Sequence, residues 1–309
     1  MDTTAYASCR LCPRECGADR LHGQSGICGE TAEVRLARAA LHFWEEPCLS
    51  GTAGSGTVFF SGCSLRCIFC QNHDIACSRV GMAVSTERLA EIYLELQAQG
   101  ALNINLVTAD HFLPQVIASL KLAKANGLHL PIVYNCSGYQ KVEALQALDG
   151  LIDIYLPDFK YLDAAPAQKY SRAANYAEIA KAALAEMVRQ CPNPRFDAEG
   201  IMQSGVIVRH LLLPGQGKDT REILAYLHRT YGESIYMSIM NQYTPLPQVA
   251  NIAEINCRIC DDEYEAVIDY ALDLGIEQAF VQEGGAAEES FIPAFDYAGV
   301  LKSAAAKDK

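Results

Sequence analysis

The stretch Thr57-Val58-Phe59-Phe60-Ser61-Gly62-Cys63-Ser64-Leu65-Arg66-Cys67-Ile68-Phe69-Cys70 sets a β-branched and aromatic run directly before three cysteines spaced C-x3-C-x2-C. The run predicts a strand, and the cysteines then occupy the non-helical loop that leaves it. In parallel βα architectures ligands gather at the C-terminal ends of strands, so the placement matters more than the spacing. Three thiolates this close can converge on three irons of a cubane cluster, whereas an ordinary four-cysteine ferredoxin site needs a fourth thiolate, and none is obvious in this loop. Three protein ligands leave one iron open, just as a catalytic zinc keeps a free position that a structural zinc lacks. An amino acid can chelate that iron through its amino and carboxylate groups, which brings a sulfonium next to the cluster for inner-sphere electron transfer into its carbon–sulfur bond.

Working outward, short β-branched or aromatic runs alternate with longer segments of helical period, the signature of parallel βα units. Strands are predicted over residues 57–60, 104–108, 131–135, 151–156, 205–213 and 235–240, with a short last one over 279–282. Helices are predicted from Ser85 as N-cap to Gly100, between Pro114 and Gly127, over 141–149, 176–190 and 261–274, and after Asp219 as a cap. Six βα units are fewer than the eight of a closed barrel. An open six-stranded parallel (βα)6 partial barrel is the first choice and an open doubly wound sheet the second. Residues 57–309 form this body, and residues 1–56 a small Cys-rich N-terminal module with a β-hairpin through Val34 to Trp44 and a Gly-rich link.

The 309 residues are half apolar and one-fifth charged, an ordinary globular composition. Residues 1–80 carry seven Lys/Arg against eight Asp/Glu, so most of the net charge of -12 belongs to the body. No basic stripe suited to phosphate backbones exists, which argues against nucleic acid as a ligand. No run reaches the roughly 18 apolar residues of a membrane span. Cys9 and Arg10 follow the start too closely for an export signal, so a cytoplasmic, reducing location is expected, where clustered cysteines read as metal ligands before disulfides. Thirteen cysteines, nine of them before residue 78, agree with that.

The triplet, with an aromatic residue before its last cysteine, resembles the radical S-adenosylmethionine (SAM) superfamily. The wider stretches His42-Phe43-Trp44-Glu45-Glu46-Pro47 and Gly56 to Asn72 resemble its pyruvate formate-lyase activating-enzyme-like branch, related also to the AmmeMemoRadiSam group. The resemblance implies a 4Fe–4S cluster on Cys63, Cys67 and Cys70, with Phe69 beside SAM. It further implies strand-end groups for SAM. Thr108 stands where many relatives carry Gly-Gly-Glu against the SAM amino group, and Asn135 where the activating enzymes have an aspartate. Asp158-Phe159-Lys160 matches their Asp-x-Lys, a carboxylate-binding and proton-handling pair. Arg209 lies on a strand like their arginine-bearing one, and a guanidinium suits a carboxylate. Asn241-Gln242-Tyr243 and Gln282-Glu283-Gly284-Gly285 close the last two strands, and Asn241 is a further SAM-binding candidate. Of the lone histidines His42, His73 and His111, His73 is the first to test.

A second constellation, Cys9-x2-Cys12-x3-Cys16-x11-Cys28, is lodged among glycines, Arg14 and Arg20. Its spacing fits a closed tetrahedral zinc site or a second four-cysteine iron–sulfur cluster and does not separate them. About 30 residues divide Cys70 from the second strand, so no ferredoxin-like insert fits there. Cys257-x2-Cys260 reads as structural, and Cys48, Cys77, Cys136 and Cys191 have no assigned role.

The expected function is reductive SAM cleavage to a 5′-deoxyadenosyl radical that abstracts hydrogen from a protein or small-molecule substrate. Flavodoxin or ferredoxin is the expected electron donor, and glycyl-radical-enzyme activation is the guess that the family name supplies. The alternatives are a non-catalytic iron–sulfur redox sensor or electron carrier, and a zinc-dependent adaptor.

Overall fold

The computed structural model describes residues 2–282 and 293–302. In chain order the strands are β1 (Arg35–His42), β2 (Ser55–Phe60), β3 (Met82–Ala83), β4 (Ile104–Val107), β5 (Ile132–Cys136), β6 (Ile154–Pro157), β7 (Arg195–Phe196), β8 (Met202–Leu211), β9 (Tyr236–Met240) and β10 (Ala279–Val281). The helices are α1 (Pro47–Ser50), α2 (His73–Ala76), α3 (Thr86–Ala98), α4 (Leu113–Ala125), α5 (Val142–Gln146), α6 (Ala164–Ser171), α7 (Tyr176–Gln190), α8 (Gly217–Tyr231) and α9 (Asp261–Asp273).

The strands form one sheet in the order β10-β9-β8-β6-β5-β4-β2-β1-β3, with β7 beside β8. Every neighbouring pair from β2 to β10 along this path is parallel, and only β1, β3 and β7 pair antiparallel. This is the open parallel (βα) arrangement expected, with the short β10 as a seventh parallel strand. Register and period two decide which side chains face inward. Val133 pairs with Ile154 and Asn135 with Leu156. Val133, Ile154, Leu156 and Ile207 pack with Cys48 and Leu49 of α1 on the inner side. The alternate residues Ile132, Tyr134, Tyr155, Val206 and Val208 join α3, α4, α7 and α8 in the main core outside. Alternation along buried parallel strands thus separates an aliphatic plug inside the barrel from a helix-covered layer outside.

The N-terminal hairpin does not form. Residues 34–44 contain no Gly, Pro, Asn or Asp to turn the chain, and they run on as the single strand β1, which pairs with β2. Residues 35–42 therefore belong to the same sheet as the triplet's strand, and α1 then turns under the barrel. Asp219 also differs from expectation. Gln216 is the N-cap of α8, and the Asp219 carboxylate instead accepts the backbone N–H groups of Leu162 and Asp163. It braces the loop after β6 rather than its own helix. Ser85 caps α3 as expected, by accepting the Arg88 N–H.

Two buried histidines brace strand-end loops. His111 places Nε2 2.6 Å from the Ser61 carbonyl, and His210 places Nδ1 2.7 Å from the Phe159 carbonyl and Nε2 2.9 Å from Thr220 Oγ1. Burial pushes His111 down to about 3 and His210 down to about 4. The unfolded chain, with histidines near 6.5, then binds protons that the folded chain refuses. Stability is therefore full above about pH 6.5 and falls as pH drops toward 4, by about 1.4 kcal/mol per pH unit for each histidine. Denaturant titrations at pH 7, 6 and 5 should show this slope, and His210→Gln should reduce it; an unchanged slope would contradict the buried neutral state.

Candidate active site

The cysteine loop is shaped by contacts that only small or unusual backbone tolerates. Gly62 has φ +84, and a Cβ there would stand 2.9 Å from the Cys28 carbonyl oxygen and 2.5 Å from Glu30 Cγ. Arg66 adopts φ +51, the left-handed turn between the first two thiols. Backbone bonds then tie the loop down: Ile68 N–H donates to the Tyr170 carbonyl, and Gln248 Nε2 donates to that of Cys70. Phe69 is 6 % exposed and sits edge-on to Tyr161, Tyr170 and Tyr243. The Ser171 hydroxyl donates to the Cys67 sulfur at 3.0 Å and is itself 2.8 Å from the Tyr161 hydroxyl.

Cys63, Cys67, Phe69 and Cys70 line a cavity of about 430 Å³ on the inner side of the sheet, within the size range of small-molecule sites. Successive strand ends deliver Thr108, Asn135, Asp158, Lys160 and Arg209 to the same cavity. Thr108 has φ +58, the left-handed conformation that favours glycine, so this segment keeps a glycine-like turn while departing from the Gly-Gly-Glu residues. Gly138 permits a second close approach. Its Cβ would fall 2.2 Å from the Asp158 carbonyl oxygen, which only glycine avoids. The Tyr176 hydroxyl donates to the Ser137 carbonyl and accepts the Lys160 N–H, locking the loops after β5 and β6 together.

Lys160 Nζ lies 2.6 Å from Asp158 Oδ2. Burial pulls the ammonium down, but Asp158 and the neighbouring Cys67 outweigh it and hold Lys160 charged. Burial pushes all three thiols up, Cys70 to about 12, with mutual repulsion adding to the rise at Cys63 and Cys70. Three thiols facing one space, Cys67 buried and Cys63 and Cys70 half-buried, become thiolates only when positive charge is set among them, which is what a metal cluster provides.

Arg209 faces the cavity but is not free to clamp a carboxylate. Its guanidinium makes two bonds to Glu46, at 2.8 and 2.6 Å, and a further one to Glu45. Glu45 also accepts from Asn105 Nδ2 at 2.7 Å. Burial raises Glu46, yet Arg209 overrides it and holds the carboxylate below its ordinary range. Glu45 and Glu46 precede Pro47, the first residue of α1, and are the site residues that strand-end reasoning missed. Two adjacent acids entering an apolar plug were the available signal.

Other expectations land elsewhere. Asn241 does not line the cavity; its Oδ1 is buried without a partner, and its neighbours Met240 and Gln242 line the wall instead. His42 lines the cavity, whereas His73 stands 3.4 Å from the Cys77 sulfur and away from the lining. Cys257 and Cys260 are exposed, and Cys48, Cys136 and Cys191 are buried single thiols. Glu283, Gly284 and Gly285 lie outside the described residues.

The family profile described as "Radical SAM superfamily" matches residues 57–227, more than half of the chain. The chain belongs to the radical SAM superfamily. An uncharacterised protein of Methanocaldococcus jannaschii is 27% identical over 281 residues, covering 87% of this chain and 77% of its own. Among solved structures, HydG, a maturase of the FeFe-hydrogenase, superposes with TM-score 0.51 at 11% identity, over 76% of this chain and 54% of its own, a likeness of fold. Streptococcus suis SuiB bound to SAM gives 0.47 at 12%, over 72% and 49%, and a domain of pyruvate formate-lyase-activating enzyme from Bacteroides vulgatus gives 0.39 at 12%, over 55% and 91%. Superfamily membership implies a 4Fe–4S cluster and SAM. The thiol triplet and the polar strand ends around one cavity fit both. Among the described residues no helix is long and apolar enough to cross a membrane.

In this radical SAM protein Arg209→Met would leave Glu45 and Glu46 buried side by side without a counter-charge. A loss of about 3–5 kcal/mol is expected at pH 7. The loss should shrink toward pH 4, because protonated carboxyls no longer need the guanidinium. Denaturation curves of wild type and variant at both pH values measure the difference, and a pH-independent deficit would refute the charge argument.

Proposed function

We propose that this chain binds a 4Fe–4S cluster through Cys63, Cys67 and Cys70, cleaves SAM reductively and directs the resulting radical at a protein or small-molecule substrate. When bound, the cluster and SAM supply the electron transfer and carbon–sulfur cleavage that yield the 5′-deoxyadenosyl radical, and hydrogen abstraction is that radical's chemistry. The observation that carries the reading is the convergence of three thiols and the Asp158–Lys160 pair on one cavity.

The chain's own residues hold, orient and exclude. Phe69, in its cage of three tyrosines, stiffens the thiol loop and keeps water from its flank. Ser171 donates to Cys67 and so favours its thiolate. Lys160 stays charged beside Cys67 and offers an ammonium to a carboxylate or to a developing negative charge. Asn135, Ser137 and Gln242 offer neutral hydrogen-bonding groups for the amino-acid and ribose portions of SAM, and Thr108 brings its backbone to the same wall.

The same reading includes activation of a glycyl-radical enzyme as one use of the radical, flavodoxin or ferredoxin as the one-electron donor, and a cytoplasmic setting. It also includes a second metal centre on Cys9, Cys12, Cys16 and Cys28.

Anaerobically reconstituted protein given dithionite and SAM should release 5′-deoxyadenosine, measured by chromatography. Cys67→Ala should abolish the product, and Lys160→Met should lower its rate about tenfold or more. Iron without SAM cleavage would favour the redox-sensor alternative, and a colourless zinc protein the adaptor.

A further inference from the structure

The four N-terminal cysteines surround one buried region. Gly26 lies between two of them, so that a Cβ there would be 3.2 Å from the Cys28 sulfur and 3.4 Å from that of Cys16. Cys16 packs against the buried cluster that holds Cys9 and Tyr6, and the Gly17 N–H donates to the Cys9 carbonyl at 3.0 Å. Arg20, 1 % exposed, sets its guanidinium 4.5 Å over the Tyr6 ring with Nη1 3.5 Å from the Cys9 sulfur. A buried arginine facing sulfur calls for negative charge there.

Four thiolates suit either a tetrahedral zinc or a cubane. The direct contact of this cysteine set with the triplet loop favours the redox-active of the two.

The N-terminal module also grips the triplet loop residue by residue. Cys63 N–H donates to the Cys28 carbonyl at 3.2 Å. Arg14, between Cys12 and Cys16, donates to the Ser64 and Leu65 carbonyls at 2.9 and 3.3 Å and to that of Ser171 at 2.7 Å. Arg66 donates to the Ile27 carbonyl at 3.2 Å. One hydrogen bond thus joins a cysteine of each set, while Cys12 and Cys16 are the two of the four that remain partly exposed.

We infer that Cys9, Cys12, Cys16 and Cys28 hold a second iron–sulfur cluster that relays electrons through the Cys28–Cys63 hydrogen bond to the triplet site. The inference rests on the radical SAM reading of that site. A low-potential flavodoxin- or ferredoxin-type donor loses one electron at the Cys12–Cys16 side. The N-terminal centre gains and then returns that electron, and the triplet site receives it, with no bond or proton moved.

Iron, sulfide and zinc analysis of the full reconstituted chain tests the site. About eight irons and eight sulfides per chain are expected, two cubanes, falling to about four of each in Cys12→Ser/Cys16→Ser. Should that variant fail to fold, Cys63→Ala/Cys67→Ala/Cys70→Ala decides, by keeping about four irons with a paramagnetic resonance spectrum that SAM does not alter. About four irons plus one zinc in wild type, or an iron-free triplet variant, overturns the second cluster. For the relay, the ratio of flavodoxin-driven to dithionite-driven 5′-deoxyadenosine formation should fall at least tenfold in Cys12→Ser/Cys16→Ser; an equal fall with both donors overturns it. A wild-type protein whose iron is unmoved by SAM sinks the radical SAM reading instead, and the iron count still decides the second cluster.

Discussion

Everything in the cavity answers to the crowding of three thiols at the end of one strand. Thiolates in a low-dielectric space repel each other and lose their hydration, and burial pushes Cys63, Cys67 and Cys70 toward the protonated form. The surrounding groups lower that cost without removing it. Ser171 donates to Cys67, and Lys160 stands beside it. What they leave uncompensated is the negative charge of the thiolates, which the iron of a cluster would balance, so the loop is built for a cationic centre.

A loop with that task has to be rigid before the metal arrives, because ligands that must be ordered on binding weaken it. Rigidity comes from both sides. The barrel contributes the tyrosine cage around Phe69 and the Tyr170 and Gln248 contacts to the loop backbone, while the N-terminal module contributes Arg14, Arg66's carbonyl partner at Ile27, and Cys28. At Gly62 the two halves touch closely. Its left-handed backbone lets the Cys28 carbonyl approach within a distance that a Cβ would forbid.

Much of this was legible before any coordinates. The triplet after a β-branched run, the seven strand segments and the helix over Tyr176–Gln190 all follow from period and punctuation, because local side-chain pattern dictates them. Asp158 and Lys160 were legible because they flank one residue at a strand end. Arg209 was only half legible. Its inward direction follows from alternation along β8, but its partners Glu45 and Glu46 lie more than 160 residues earlier in sequence, and no local rule pairs them. Asn241 failed for a different reason. Ser238, Met240 and Gln242 line the wall, so the alternation of β9 runs on past its last ladder bond and turns Asn241 away, whereas the sequence reading chose the first polar residue after the strand. The N-terminal strand was misread as a hairpin because an amphipathic stretch near a glycine-rich link suggests a turn, although residues 34–44 themselves contain none.

The pairing of Arg209 changes how SAM must be held. Among the described lining residues, Glu45, Glu46 and Asp158 face Lys160 and Arg209, and burial lowers His42 so that it stays neutral at pH 7. Three carboxylates against two cations leave the wall negative by one charge before the thiols are counted. A free anion would be repelled from such a space, and a cation drawn into it. Among the described lining residues Lys160, already shared with Asp158, is then the one cation left for a ligand's carboxylate, which would depend on the open iron and on neutral donors for its other contacts. The sulfonium gains from the same imbalance. A cavity that spends its arginine on two glutamates is poor at holding carboxylates for their own sake and well matched to a ligand whose reacting atom carries positive charge.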